Sequence, residues 1–547
     1  MVTATRAEDP GARTLAPSAL TTASIIPTTT KKSGRFWAIF PALCMTTFLS
    51  SLDTSILSTA LPTISKELNS GTLYIWITNA YLFSSTVVQP LFGQTSNIFG
   101  RRSLMILSVV FFALGSGLAG GANGNTMLIV GRTVQGIGGG GIGTLVDIII
   151  SDLVPMRERG KYVALMAAIW AFGTVIGPVL RGALAQHVSW RWIFYINLPL
   201  SAASLFLLYF FLKVSHPRGE NIFKRLSRVD FLGNGILVAA VVSILLSLTW
   251  AGTVYPWSSW RIITPLTVGF VGMILFYTHQ TSRICVEPSI PLRLFPNPTS
   301  LCALLLGFVL SILVYWTGYF LPIYFQAVLG TSSTMSGLYV LPITAAITPL
   351  GILTGILIAA TGKYRAFHFL GFGLMSVGVG LFSTLDNQSS TGHWVGFQLL
   401  FGSGAGMVFS STLPPIQASV READMARATA TWSFMRSFGS VWGIAIPTAI
   451  FNDKIESILG RINDPSLRVQ LSNGGAYGLA SAGLSRTLGS NRKLLSEVIG
   501  VYVDGLRFTW LLAIRFAVAG FLMCFPIHQL ELSTHLETEY GLQERTL

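Results

Sequence analysis

The sequence predicts an all-α polytopic membrane protein, and its composition and its apolar segments carry that prediction. Of the 547 residues, 51% are apolar and only 11% are charged, whereas a typical soluble domain has about a quarter of its residues charged. The mean hydropathy is +0.62. The apolar residues collect in segments long enough for a helix to cross a bilayer core of roughly 30 Å. This composition excludes an ordinary soluble enzyme, a disordered protein and a nucleic-acid binder.

The first element is a Thr-, Ala- and Ser-rich stretch, residues 1–35, which we expect to be a disordered cytoplasmic tail without a cleavable signal peptide. Lys31, Lys32 and Arg35 precede the first apolar segment and favour a cytoplasmic N-terminus. Fourteen apolar segments follow, so both termini are predicted on the same side. Their approximate ranges are 36–60, 74–94, 103–121, 127–150, 162–184, 190–212, 231–250, 262–280, 300–325, 335–360, 366–384, 393–413, 430–451 and 509–527.

The charge of the connecting links agrees with this order. Links predicted to be cytoplasmic carry clustered basic residues, beginning with Arg101 and Arg102, and the net charge of +14 fits such loops. The short links predicted to be outside carry only Lys66, Arg191 and Arg261 as basic residues. This asymmetry is what the positive-inside rule requires.

The spans divide the chain into two six-helix halves with two inserted helices. The N-terminal half covers 36–212, and a basic linker with the inserted pair covers 213–299. The C-terminal half covers 300–527 and contains a long outer loop at 452–508, whose amphipathic stretch Leu494–Leu506 we place on the outer surface. A cytoplasmic tail, 528–547, ends the chain. Paired six-helix halves are typical of secondary transporters.

The link between the second and third spans, Gly93 to Arg102, combines glycines with paired basic residues. Gly93 and Gly100 permit tight turns and close packing, and Arg101 and Arg102 can dock on carboxylates or helix C-termini. This pattern favours conformational gating at the inner face. An ordinary positive-inside turn remains the alternative.

The fourth span contains Gly131 to Gly141, a run with a literal G-x-G-x-x-G. A dinucleotide site needs a preceding strand, so close helix packing is the better interpretation. In the fifth span Gly177 and Pro178 interrupt the helical hydrogen bonds and permit a kink that shapes a path between the halves. A packing kink without function remains the alternative.

Asp53 is the one clear acid inside the first span, and Arg132 lies inside the fourth. Charged side chains in a bilayer are rare and usually functional. At 1.5 Å per residue, both reach a similar depth in the outer part of the membrane. We therefore expect Asp53 to bind the coupling proton, Arg132 to set its affinity and Gln135 to line the same face. A static ion pair is the alternative.

Other polar residues are expected to have less specific roles. Asp147 and Asp152 lie at the cytoplasmic end of the fourth span, where a solvated position is expected, and Arg436 and Arg515 can snorkel to an interface. Asn387 is the acceptor of the one acceptable N-x-[ST] sequon, in a link predicted to be outside. No ATP-binding loop occurs, and the four cysteines show no metal or redox spacing, so we expect no metal, cofactor or catalytic residue.

These segments together resemble the major facilitator superfamily, specifically its fungal 14-span drug–proton antiporter family. Gly93 to Arg102 resembles the superfamily's loop motif, with Asn97 where the pattern has Asp. Arg132, Gln135 and Gly136 resemble the helix-four motif that is tied to proton transfer. Gly173 to Gly182 resembles the helix-five motif of exporters, with Arg181 in place of a glycine.

The resemblance implies a major-facilitator fold and a proton-coupled efflux pump for toxins, drugs or secondary metabolites. It implies alternating access in the plasma membrane, with a small organic substrate and protons as partners, and we expect a monomer. A vacuolar transporter of basic amino acids or a siderophore transporter of the same superfamily is the first alternative. A polytopic membrane enzyme is the second, and it would need His, Asp or Cys clusters at bilayer depth that the sequence does not suggest.

Overall fold

The computed structural model describes residues 34–68, 74–187, 189–212, 221–252, 254–283, 285, 287–290, 292–472, 474–480, 488 and 491–534. The predicted tails 1–35 and 528–547 and residues 213–220 of the predicted linker therefore lie wholly or largely outside the described residues. The side chains of 54–63 and 178–187 lie outside them as well.

The described chain is helical almost throughout, apart from one isolated β-bridge between Ala251 and Tyr255. The helices are α1 (Gly34–Glu67), α2 (Tyr74–Val87), α3 (Gln89–Phe99), α4 (Arg101–Gly120), α5 (Asn125–Leu153), α6 (Arg159–His187), α7 (Trp192–Tyr195), α8 (Asn197–Phe211), α9 (Ile222–Leu226), α10 (Phe231–Trp250), α11 (Trp260–Thr281), α12 (Pro298–Ile323), α13 (Ser333–Tyr339), α14 (Leu341–Thr361), α15 (Arg365–Phe382), α16 (Thr391–Ser411), α17 (Leu413–Ala418), α18 (Met425–Ile458), α19 (Pro465–Leu471), α20 (Gly475–Leu479) and α21 (Arg492–Met523).

Within the described residues, eleven helices are long and apolar enough to cross a membrane. The three remaining predicted spans, 74–94, 162–184 and 430–451, are also helical, in α2 with α3, in α6 and in α18. The first of them is divided at Val88, and Pro90 stands in the first turn of α3, where its missing N–H costs nothing. An all-α membrane protein is confirmed, and the count of fourteen spans stays a prediction.

The last helix begins well before the predicted span 509–527. It starts at Arg492, with the Asn491 side chain accepting a hydrogen bond from the Leu494 N–H. The amphipathic stretch Leu494–Leu506 is therefore the first half of α21 and not a separate surface segment. Val498 and Tyr502 are buried, and this apolar stripe packs against the rest of the C-terminal helices and keeps the helix continuous.

Helices pack in two groups along the chain. In the first group α4 packs on α5, α1 on α6 and α2 on α5. In the second group α12 packs on α18, and α16 packs on both α14 and α15. One hydrophobic cluster lies wholly within residues 306–532, and another begins at Phe36 and reaches Trp432 on α18. The two groups touch mainly where α3 meets α18 and where α6 meets α14.

The glycine run of α5 lets neighbouring helices approach its backbone closely. A Cβ atom at Gly138 would lie 2.4 Å from the Phe112 backbone N of α4, and one at Gly136 would lie 2.0 Å from the Ser84 Oγ of α2. Neither separation is possible for a real side chain, so these positions require glycine. The interpretation of the run as a packing face is confirmed.

Candidate functional site

Asp53 lies in the middle of α1 and is enclosed by polar side chains of other helices. Its carboxylate is buried, and Arg132 of α5 donates from Nη1 to Asp53 Oδ2 at 2.6 Å. Gln135, one turn further along α5, donates from Nε2 to Asp53 Oδ1 at 2.7 Å. The structure thus brings together the three residues expected to couple protons, at the similar depth predicted from helix length.

Two further residues complete this cluster. Asn197, at the start of α8, donates from Nδ2 to Asp53 Oδ1 at 3.1 Å. The Ser116 hydroxyl of α4 accepts from Gln135 Nε2 at 2.8 Å and from Asn197 Nδ2 at 3.3 Å. Neither residue was identified from the sequence. A lone amide between aromatic residues inside an apolar segment was the available signal.

Arg132 is fixed by contacts of its own. Its Nε donates to the Ile77 carbonyl at 3.2 Å, and its Nη1 also donates to Gln135 Oε1 at 2.6 Å. The guanidinium carbon lies 4.4 Å from the centroid of the Tyr81 ring, a favourable cation–π geometry. The Tyr81 hydroxyl lies 3.3 Å from the Ser50 hydroxyl of α1. We refer to Asp53, Arg132, Gln135, Asn197 and Ser116 as the Asp53 cluster.

The Asp53 cluster is built around the ion pair of Arg132 and Asp53. The ionised carboxylate accepts three hydrogen bonds, one from a guanidinium. A proton on Asp53 would remove the charge that holds Arg132 and turn one acceptor oxygen into a donor. Removing one partner of a buried pair typically costs about 3–5 kcal/mol. A proton bound at Asp53 would therefore break the ion pair and change at least these contacts.

The loop between α3 and α4 is built as a rigid corner. Gly100 has φ +87°, a conformation that favours glycine, and it separates the two helices. Arg101 is buried and donates from Nε to Asp152 Oδ2 at 2.8 Å and from Nη1 to the Ser96 carbonyl at 2.9 Å. Arg102 donates to the Tyr209 carbonyl at 2.7 Å. Both arginines therefore bind residues of their own helix group. Asp152 is buried in this packing, whereas the sequence predicted a solvated position.

Gly93 makes the direct contact with the other helix group. A Cβ atom at Gly93 would lie 2.3 Å from the Ala430 Cβ of α18. Asn97 donates to the Ala423 carbonyl at 3.1 Å, and Gln89 donates to the Ser437 hydroxyl at 2.9 Å. Of the four loop residues expected to gate the inner face, Gly93 touches the other helix group. Gly100, Arg101 and Arg102 form the corner behind it.

A second contact between the groups comes from the start of α6. Arg159 is buried and donates from Nη1 to Gln417 Oε1 of α17 at 2.8 Å. A Cβ atom at Gly355 of α14 would lie 2.6 Å from the Gly160 carbonyl carbon. The sequence gives no sign of this contact, because Gln417 is far from Arg159 in the chain.

The other predicted site residues are placed as follows. Gly177 is buried in α6, and the side chain of Pro178 lies outside the described residues. Asn387 is exposed in the link between α15 and α16, and the neighbouring Asp386 accepts from the Ser389 hydroxyl of the sequon at 2.8 Å. That hydrogen bond is the main cause that holds the pKa of Asp386 below its ordinary value. Glycosylation stays a prediction.

One group of potential metal ligands occurs among the described residues, at the ends of α10 and α11. Asp230 accepts from Cys285 Sγ at 3.4 Å and lies 2.9 Å from His279 Nε2. It also caps α10 by accepting from the Gly233 N–H at 2.8 Å. Burial and the Asp230 carboxylate raise the pKa of the Cys285 thiol to about 12. The protonated thiol therefore acts as a hydrogen-bond donor in a helix cap, and we assign no metal to it.

Comparison with known proteins gives a consistent result. The family model of the Major Facilitator Superfamily matches residues 43–444. The chain is 49% identical over 518 residues to the efflux pump FUS6 of Gibberella moniliformis, covering 95% of this chain and 92% of that protein. It is 48% identical over 515 residues to the MFS-type transporter of the acurin A biosynthesis cluster of Aspergillus aculeatus, covering 94% of this chain and 93% of that protein.

A solved structure shares the fold. The human organic anion transporter MFSD10 superposes with a TM-score of 0.57 and covers 89% of this chain and 99% of that protein. Its sequence is 15% identical, so the likeness concerns the fold alone.

Proposed function

Because the chain belongs to the major facilitator superfamily, we propose that it exports small organic compounds by alternating access and takes up protons in exchange. The family and the relatives are transporters rather than enzymes, and one relative of nearly full length is an efflux pump. Another belongs to a secondary-metabolite cluster, which supports secondary metabolites or toxins as the substrate class. We place this multi-pass protein in the plasma membrane as a monomer.

The Asp53–Arg132 ion pair is the observation that carries proton coupling. Its two charged groups are buried on helices α1 and α5, and α4 and α8 supply the remaining donors and acceptors. Four helices therefore meet at one titratable carboxylate. Protonation of Asp53 weakens the attraction between α1 and α5, so proton binding favours a different packing of these helices.

Export requires that this change reach the contacts between the two helix groups. Those contacts lie at the ends predicted to be cytoplasmic, where Gly93 meets Ala430 and Arg159 meets Gln417. Gly93 and Arg159 belong to the same helix group as the Asp53 cluster. A shift of α5 against α2 and α3 would move Gly93 relative to α18 and open the path from the cytoplasm.

The proposal is tested by accumulation of fluorescent aromatic compounds in cells with and without the protein. We expect the protein to lower accumulation of at least one compound and a protonophore to abolish the effect. Asp53→Asn should lose the protonophore-sensitive part at equal membrane expression, and Asp53→Glu should keep some of it. If the protonophore does not reduce export by the unmodified protein, proton coupling is contradicted.

Location is tested separately with a fluorescent tag. A signal at the cell periphery is expected, and a signal confined to the vacuolar membrane would favour the vacuolar alternative. No contact in the described residues favours that alternative.

A further inference from the structure

Arg436 is a cation on α18, inside the predicted span 430–451, and none of its N–H groups donates a hydrogen bond to another described residue. Its Nε atom is fully enclosed and still has no partner. A guanidinium has five donors, and leaving them unused inside a membrane protein is costly. The donors of Arg132 and Arg159, by contrast, have protein acceptors. Arg436 is therefore a candidate for contact with a ligand.

Two aromatic rings lie within cation–π distance of the Arg436 guanidinium. The guanidinium carbon lies 4.2 Å from the Phe409 ring centroid and 4.5 Å from that of Trp432. Trp432 is itself fixed, because it is fully buried and its Nε1 donates to the Thr412 hydroxyl at 3.1 Å. Gly307 of α12 lies beside the side chain, and a Cβ atom there would make an ordinary van der Waals contact with Arg436 Cγ at 3.5 Å. The cation is thus oriented before any ligand arrives.

Asp147 is the described acid that interacts with Arg436, but the two side chains do not form an ion pair. Asp147 of α5 interacts with it electrostatically, yet no ion pair within 4.0 Å joins the two described side chains. Instead, Asp147 Oδ2 accepts from the Ser433 hydroxyl at 3.3 Å. Asp147 and Arg436 are both partly accessible, although α5 and α18 pack together inside the helix assembly. We infer from this accessibility that a space lies between the two helix groups at these residues.

Two tyrosines of α12 face the same space. Tyr315 and Tyr319 are 37% and 38% exposed, in a helix whose other residues pack on α18 and α21. Tyr315 interacts electrostatically with Arg436, and also with Tyr81, the residue that stacks on Arg132 of the Asp53 cluster. This space is therefore lined by one unpaired cation and several aromatic rings, and it lies next to the Asp53 cluster.

We propose that Arg436 binds the anionic group, a carboxylate or similar oxyanion, of an aromatic or conjugated substrate held between α5, α12 and α18. This inference rests on the proposed export function and specifies its substrate class. The planar guanidinium matches a carboxylate with two parallel hydrogen bonds, and the tyrosines and Phe409 suit an apolar ring system. Asp147 favours a hydroxyl or amide N–H on the substrate a short distance from its acid group.

A structural role for Arg436, as a distant counter-charge of Asp147, predicts a different result. If the two residues only balance each other, Arg436→Gln and Asp147→Asn should have similar effects. If Arg436 is the anion receptor, their effects on an acid have opposite signs. Arg436→Gln removes the attractive charge, whereas Asp147→Asn removes a repulsive one.

The experiment uses the purified full-length protein and matched pairs of acid and methyl ester. The probes are 1-pyrenebutyric acid, 9-anthracenecarboxylic acid and 1-naphthaleneacetic acid with their methyl esters, and binding is measured by quenching of tryptophan fluorescence. The unmodified protein should bind at least one acid about tenfold or more better than its ester. Arg436→Gln should weaken acid binding roughly 10- to 100-fold and leave ester binding within about threefold. Arg436→Lys should be intermediate, and Asp147→Asn should equal or exceed the unmodified protein for the acid.

Three results would overturn the inference: equal binding of every acid and its ester, binding of no acid, or a preference for the acid that survives in Arg436→Gln. Monodisperse elution and unchanged ester binding show that a variant is folded. Proton-driven export of an ester is read out separately with Asp53→Asn. If ester export remains proton-driven while the acid preference is absent, only the assignment of Arg436 fails. If no export depends on the proton gradient, the proposed function fails whatever Arg436 binds.

Discussion

Adding one methyl group at Gly93 should open the protein on its predicted cytoplasmic side. In the structure a Cβ atom at Gly93 would lie 2.3 Å from the Ala430 Cβ, whereas carbon atoms prefer about 3.5–4.0 Å. Gly93→Ala therefore requires α3 and α18 to separate by roughly 1.2–1.7 Å. Overpacking of this kind costs about 1–3 kcal/mol, which shifts the equilibrium away from this closed arrangement by about 5- to 150-fold.

The clash has a matched rescue. With Ala430→Gly in addition, the nearest atoms to the new methyl group would be the Arg427 Cα at 3.4 Å and the Ala426 carbonyl oxygen at 3.5 Å, both tolerable. Spin labels at Ser103 and Arg421, one on each side of the contact, report the separation by pulsed electron paramagnetic resonance.

We expect a longer label distance and slower export in Gly93→Ala, and recovery of both in the double variant. An unchanged distance distribution in Gly93→Ala, or a double variant that stays open, would refute the reasoning.

Three further predictions concern the corner, the fifth predicted span and the topology. Arg101→Ala should leave Asp152 buried without its partner and lower the stability of the folded protein by about 3–5 kcal/mol, which is more than Arg102→Ala should cost. Replacing both arginines should reduce export at equal expression. Unchanged export would mean that the loop is a simple basic turn. Gly177→Leu should block export through steric clash in the buried part of α6, and normal export would show that close packing is not needed there. A cysteine at Ser390 should react with an impermeant label on intact cells, because the link before α16 is predicted to be outside; reaction only after permeabilisation would contradict the proposed topology.

The sequence predicts the helical membrane fold well, because a bilayer imposes length and composition on each span. It predicts the pairing of Asp53 with Arg132 for a related reason. Intramembrane charges are rare, and 1.5 Å of rise per residue places both at a similar depth. Gln135 follows from its position one turn after Arg132. The start of α21 was missed because its amphipathic first half is too polar to read as a span, although its apolar stripe packs on neighbouring helices.

Residues whose partners are distant in the chain could not be predicted in the same way. Asn197 and Ser116 are small polar residues without a pattern, and only the packing of α4 and α8 brings them to Asp53. Asp147 was expected in solvent, yet it faces Arg436 from the other helix group. The sequence also offered no means of separating the inter-group contact of Gly93 from the corner contacts of Arg101, since both belong to one loop.

The most direct test of proton coupling compares transport driven by a pH gradient in the unmodified protein and in the Asp53→Asn variant. Purified protein in liposomes is given an imposed proton gradient, and uphill movement of an exported fluorescent compound is followed together with the internal pH. We expect the unmodified protein to move the compound uphill and to carry protons in the opposite direction, and we expect Asp53→Asn to allow only downhill movement without proton flux. Uphill transport with unchanged pH dependence in Asp53→Asn would contradict the assignment of Asp53 as the proton carrier.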